Sequence, residues 1–193
     1  PEPPPGEETV VVRARKPRRA PGTERAQIER ARQATGALGD GLAVAKELPG
    51  VGRAALGSGD LVVWGAAPSE TAVLVDDVPI PRLFHAGGLR AVLHDAQIRD
   101  IELRPAAFAA SDGRVVGGVM RLTTRRAQPD GAHGEIAVDP LDAAAHVAFA
   151  RDGGEVALAG RYGFLDQTLG LIAPDAEAQV PVSAWRSYAG VAG

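Results

Sequence analysis

The sequence predicts an α+β unit, a small mixed β-sheet with short helices, followed by antiparallel strands that carry one apolar face. Three observations predict it. Short β-branched runs bounded by glycine and proline recur through residues 61–125. Apolar and small or polar residues alternate in steps of two after about Gln128. The 24 glycines and the low aromatic content of 4% point to a thinly packed interior rich in turns.

Of the 193 residues 45% are hydrophobic and 23% charged, with a net charge of -3, which suits one or two ordinary domains and excludes a disordered or collagenous chain. The absence of cysteine removes disulfides, thiolate chemistry and cysteine-type zinc sites. No run approaches the roughly 18 consecutive apolar residues of a spanning helix. Spanning strands are untouched by that test, because alternating strands never register as a hydropathy peak. A secretory signal is expected to be absent from this chain or removed before it, since the N-terminus lacks a charged region followed by an apolar one.

Residues 1–22 read as a flexible linker, with Pro1, Pro3, Pro4, Pro5, Pro17 and Pro21 favouring extended backbone. Inside it "ETVVVRA" places three β-branched residues where no local sheet is in sight. Thr23 is expected to cap a helix running through "ERAQIERARQA" to about Ala34, with Ile28 nearly alone as a large apolar residue. Asp40 is expected to cap a second helix, "GLAVAKEL", ending at Pro49-Gly50.

Strands are predicted at residues 61–65, 71–80, 98–105 and 117–125, with a short helix in "LRAVLHDAQI". Beyond residue 128, "GEIAVD" and "EVALAGRY" alternate in the manner of half-buried sheet. Asp152-Gly153 suits a tight hairpin turn between "AAHVAFAR" and "EVALAGRY".

The order of these landmarks resembles the plug of TonB-dependent outer-membrane transporters. "ELPGV" at 47–51, a glycine-rich loop, "VVWG" at 62–65, "VLVDDVPIP" at 73–81, "IRDIELRP" at 98–105 and "SDGRVVGGVMRLTTR" at 111–125 follow the family sequence LPGV, (V/I)RG, VL(V/I)DGVP, (V/I)xxIE and YGxxxGGVxxxxT. The resemblance covers about residues 7–126 and continues more weakly into the first barrel strands.

It implies a TonB box at 7–14 within the 1–22 segment, a plug domain at 23–128, and opening strands of an incomplete β-barrel at 129–193. Three or four strands fit that last segment, with "VSAWRSYAGVAG" the last. It also implies that Glu8, Thr9, Val10, Val11 and Val12 pair edge-on with a sheet of the TonB C-terminal domain. Other implied partners are the chain's own β-barrel and a small-molecule substrate such as a metal chelate or another nutrient. The place is the outer membrane of a Gram-negative bacterium, with plug and N-terminus facing the periplasm.

Apical plug loops touch substrate in that family. The matching stretches here are residues 52–60 and 82–94, which makes Arg53, Ser58, Arg82, Phe84, His85 and Arg90 the candidate ligand-facing residues. Departures mark a divergent branch. Trp64 stands where arginine is usual, so the charge cluster that arginine makes with the glutamate at 102 cannot form in its usual way. Asp77 replaces glycine, a change that Asp tolerates in left-handed backbone.

Other chemistries lack support. "GRVVGG" at 113–118 has no Lys-Ser/Thr and precedes a strand, unlike a phosphate loop. Asp76 and Asp77 would point to opposite faces of a strand, and fit turn formation with Pro79 better than acid/base work. His85, His94, His133 and His146 show no metal-ligand spacing, and no serine sits in a nucleophile elbow. The basic run from Arg13 to Arg19 has no interleaved aromatics in a chain of acidic balance, so it reads as a solvated linker and not a nucleic-acid site. Neither an enzymatic activity nor a cofactor is expected. The alternative function is a soluble periplasmic binding or adaptor module with a plug-like fold and no pore.

Overall fold

The computed structural model describes residues 23–33, 39–53, 59–85, 88–105, 112–113, 115–127, 131–151, 154–164 and 186–192. Three sheets organise them. Thr71–Val75 (β4) and Gly118–Thr124 (β7) run parallel, and Ile98–Arg104 (β6) joins β7 antiparallel. With Glu24–Gln27 (β1) and Val78–Ile80 (β5) they complete a mixed sheet in the order β1-β6-β7-β4-β5. Val51–Arg53 (β2) and Leu61–Val63 (β3) form a separate antiparallel pair.

The core follows from which face of β6 and β7 is apolar. Ile98, Ile101, Leu103, Met120 and Leu122 are buried there and pack with Ile28, Leu42, Leu48, Leu83 and Phe84 from the surrounding turns. At roughly 1.5–3 kcal/mol per fully buried large aliphatic side chain, this cluster is the main cohesive term of the unit.

The expected helix at 23–34 is strand in its first half. Residues 24–27 are β1, and only Ile28–Arg32 (α1) is helical. The reason lies in the partner: β6 offers a free edge, and β1 fills it in antiparallel register with Arg25 opposite Glu102. Arg25 adds ion pairs at 3.4 Å to Asp100 and 3.5 Å to Glu102. A sequence with one large apolar residue gains little from helix packing and more from that ladder.

The capping role expected of Asp40 holds, with its carboxylate accepting from Leu42 N at 3.0 Å. The helix it caps, Gly41–Glu47, is 3₁₀ rather than α. Leu42, Ala45 and Leu48 are buried at intervals of three, the 3₁₀ repeat. The helix expected in 89–98 shrinks to a 3₁₀ turn at Asp95–Gln97, and Ala91 bridges to Phe84 instead. Groups from elsewhere in the fold claim the backbone there: Ala91 N donates to Asp40 at 2.8 Å, and Ala91 O accepts from Arg161 at 2.8 Å.

The strand expected over 71–80 is a hairpin, β4 and β5, folded at Asp76 and Asp77. Both have positive φ, 45° and 68°, as a primed two-residue turn requires. Asp76 fixes the turn to β7 by accepting from the backbone N–H and the hydroxyl of Thr124.

The alternating segment gives Gly131–Val138 (β8), Asp142–Arg151 (β9), Gly154–Gly163 (β10) and Arg186–Ala192 (β11). They form one antiparallel sheet in the order β11-β10-β9-β8. Those are the four strands among the described residues of this segment, with β9 and β10 paired over ten residues each.

Asp76→Ala should destabilise the protein by about 1–3 kcal/mol, because alanine meets the left-handed backbone without the bonds to Thr124. Asp77→Gly, at a largely exposed turn position, should change stability by less than about 0.5 kcal/mol in either direction. Urea unfolding of the two variants followed by tryptophan fluorescence measures both.

Candidate functional site

The antiparallel sheet separates its side chains by face. Ile136, Val138, Val147, Phe149, Val156, Leu158 and Tyr162 are exposed on one face, Ile136 to 82%. The register keeps them together: Val156 lies opposite Phe149 and Leu158 opposite Val147. The other face carries Glu135, Asp142, His146 and Arg161 among alanines, with Ala144 and Ala148 buried. Small side chains there let the mixed-sheet unit approach closely, and its charged residues meet those of the sheet.

The junction is a buried charge network. Asp40, Arg90, Asp142 and Arg161 are exposed to 1%, 2%, 3% and 6%. Arg90 Nε donates to Asp142 at 2.7 Å, and its guanidinium also holds Asp139. Arg161 lies 3.6 Å from Asp142 through Nε and 3.4 Å from Asp40 through Nη1. Asp139 also orders its own turn, accepting from Leu141 N at 2.7 Å and Asp142 N at 3.1 Å. Two guanidinium groups thus face three carboxylates drawn from both parts of the chain. Buried charges of this kind persist only when paired and hydrogen-bonded.

A second contact lies beside the first. Arg32 binds Asp95 at 3.0 Å and also pairs with Glu135 on β8. His94, next to Asp95, has its ring 5.8 Å from that of His146 on β9. Burial holds the His94 imidazole below its ordinary range, against the upward pull of Asp95.

The sequence-predicted site residues are placed unevenly. Glu8, Thr9, Val10, Val11, Val12 and Ser58 lie outside the described residues, as does the side chain of Arg53. Arg82 is exposed and His85 half-buried, its imidazole held below the usual range by burial and then by Arg161. Phe84 and Arg90 turn inward. Phe84 is fully buried beneath the Lys46 ammonium, 3.9 Å from the ring centroid, and Arg90 belongs to the charge network.

Trp64 is exposed with φ of 51° and lies over Gly50, where an added Cβ would meet its Nε1 at 1.9 Å. Glu102 is paired without it, through Arg25 and through Arg104 at 2.7 Å. Sequence reading did not single out Asp40, Asp142 and Arg161 as one cluster. A signal was present in the charged residues at positions 142 and 161, each on a strand face otherwise rich in alanine.

No family model and no curated protein matches the chain. Among solved structures it is similar to the siderophore receptor PirA from Pseudomonas aeruginosa, at 19% identity and a TM-score of 0.48. The match covers 76% of this chain and 28% of the receptor. A likeness at that level carries no argument about activity, which has to come from the residues themselves.

Asp142→Ala should cost about 3–5 kcal/mol, since it removes the carboxylate that two buried arginines share. Replacing Arg161 and Asp142 together by leucine should cost less than the sum of the two single changes. A double-mutant cycle by chemical denaturation checks both outcomes.

Proposed function

We propose that the chain is the N-terminal part of a TonB-dependent outer-membrane transporter, a plug fastened to the opening strands of a β-barrel. The observation that carries this reading is the division of the antiparallel sheet into an exposed apolar face and a polar face latched to the mixed-sheet unit. Hydrocarbon on one side and a filled lumen on the other demand that pattern. A soluble adaptor would leave Ile136, Val138, Phe149 and Leu158 facing water as one contiguous patch.

On this reading the plug closes the lumen. A small nutrient, a metal chelate among the candidates, binds at its apical loops, where Arg82 is exposed. Binding biases release of residues 7–14 into the periplasm. There the extended run Val10, Val11, Val12 adds a strand to the TonB C-terminal domain, backbone bonds giving affinity and alternate side chains selectivity. A pull on that strand, driven by the inner-membrane proton gradient, opens a path past the plug.

The cysteine-free sequence makes the membrane claim direct to test. In protein reconstituted into lipid bilayers, a spin label on Leu158→Cys should be accessible to oxygen and shielded from a water-soluble nickel chelate. A label on Ala157→Cys, on the other face of β10, should show no such preference. Equal accessibility at the two positions would remove the barrel reading. For the coupling segment, a peptide of residues 5–16 should bind a cognate TonB C-terminal domain, and Val11→Pro should abolish binding by deleting a ladder donor. No binding by the unmodified peptide, where a known box peptide binds, would remove the TonB partner.

A further inference from the structure

We infer that His94 and His146 form an acid-sensitive latch between the mixed-sheet unit and the antiparallel sheet, closed while both imidazoles are neutral and opened when they gain protons. The two rings come from different parts of the chain, His94 beside the 3₁₀ turn Asp95–Gln97 and His146 from β9, and their centroids are 5.8 Å apart. His94 is 5% exposed and caps its turn, Nδ1 accepting from Ala96 N at 3.1 Å. The ring proton therefore sits on Nε2, which is buried with no hydrogen-bond partner among the described residues.

A second proton has only one place to go. It must enter on Nδ1, the atom that accepts from Ala96 N, so charging the ring sets donor against donor and removes the cap. Burial keeps the imidazole below its ordinary range, against the pull of Asp95 Oδ1 at 3.4 Å from Nδ1 and with help from the Arg161 guanidinium. The rest of Asp95 is committed elsewhere, with Oδ2 accepting from Gly41 N at 2.9 Å and held by Arg32 Nε at 3.0 Å.

The surrounding charge is already matched. Facing the two rings are Arg32 from α1, Asp95 from the turn, Glu135 from β8, Arg161 from β10 and Arg125 just after β7. Arg32 pairs with both Asp95 and Glu135, Arg125 with Glu29 at 3.1 Å, and Arg161 with Asp40 at 3.4 Å. Imidazolium on both sides of the junction would set two like charges 5.8 Å apart, inside a Debye length of about 8 Å, beside these guanidinium groups. Separation of the two parts relieves that repulsion and hydrates His94. The direction with pH follows from His94, whose neutral form is the one the fold favours. Its contribution to stability is complete above about pH 6.5 and is lost as the pH falls through the lowered folded value. The latch depends on these side chains and not on coupling to TonB.

In the cysteine-free chain, spin labels at Arg30→Cys on α1 and Ala132→Cys on β8, both exposed positions, report the junction by pulsed dipolar spectroscopy in lipid bilayers. One narrow distance is expected at about pH 7.5, and a longer, broader one at about pH 5, reversibly. His94→Gln, whose amide oxygen can still accept from Ala96 N, and His146→Gln should each lose the lengthening. His133→Gln, at an exposed position on β8, should keep it. NMR of the His94 ring in the wild type should show it titrating below about pH 6.5 together with the opening, a readout that does not depend on the variants folding. A distance that stays the same at the two pH values, a lengthening that survives the double His94→Gln, His146→Gln change, or a His94 ring that titrates above about pH 6.5 would each overturn the latch.

Discussion

Arg90 and Arg161, both buried against Asp142, fix how the two parts of the molecule meet. Almost no other placement of these groups is acceptable. Moving the antiparallel sheet along its strands by two residues would take Arg161 from Asp40 and Asp142 from Arg90 and leave charges buried without partners. The apolar core of the mixed sheet tolerates small shifts, because dispersion contacts are non-directional. The charge network does not. A network of this kind adds little net stability compared with an apolar interface, yet it penalises every wrong register heavily, so its physical effect is alignment.

The rest of the architecture is arranged to let those arginines reach. Alanines at 144 and 148 keep the inner face of the sheet low, and a larger side chain at either would hold the mixed-sheet unit away from it. Asp40 has three tasks in one carboxylate: it caps the 3₁₀ turn, accepts from Ala91 N and faces Arg161. The irregular segment from Leu83 to His94 is therefore organised by contacts distant in sequence and not by its own helical preference.

That division explains what could be read from the chain alone. The strands at β4, β6, β7, β9 and β10 were legible because their alternation or β-branched content is local, and the Asp76-Asp77 turn because left-handed backbone selects few residues. The 24–27 strand was not, since its only reason to be extended is the open edge of β6, some 75 positions later. The 3₁₀ repeat of Leu42, Ala45 and Leu48 was visible but falls between the helix and strand templates. Arg90 looked like a ligand contact from its loop position. Its carboxylate partners lie 49 and 52 residues away, a distance that no spacing rule spans. The same applies to His94 and His146, which share no motif and meet only through the packing of a turn against β9.

β1 stands at the edge of the mixed sheet, four residues long, and it is where the described chain begins. Anything that tugs on the segment ahead of it loads this strand before any other. Force directed across the sheet would open the ladder one rung at a time from Glu24, as a zip parts, whereas force along the strand would have to shear all the rungs together with the Arg25 ion pairs. The direction of the pull, more than its strength, would then decide whether β1 leaves alone or drags Ile28, and with it the core, out of place.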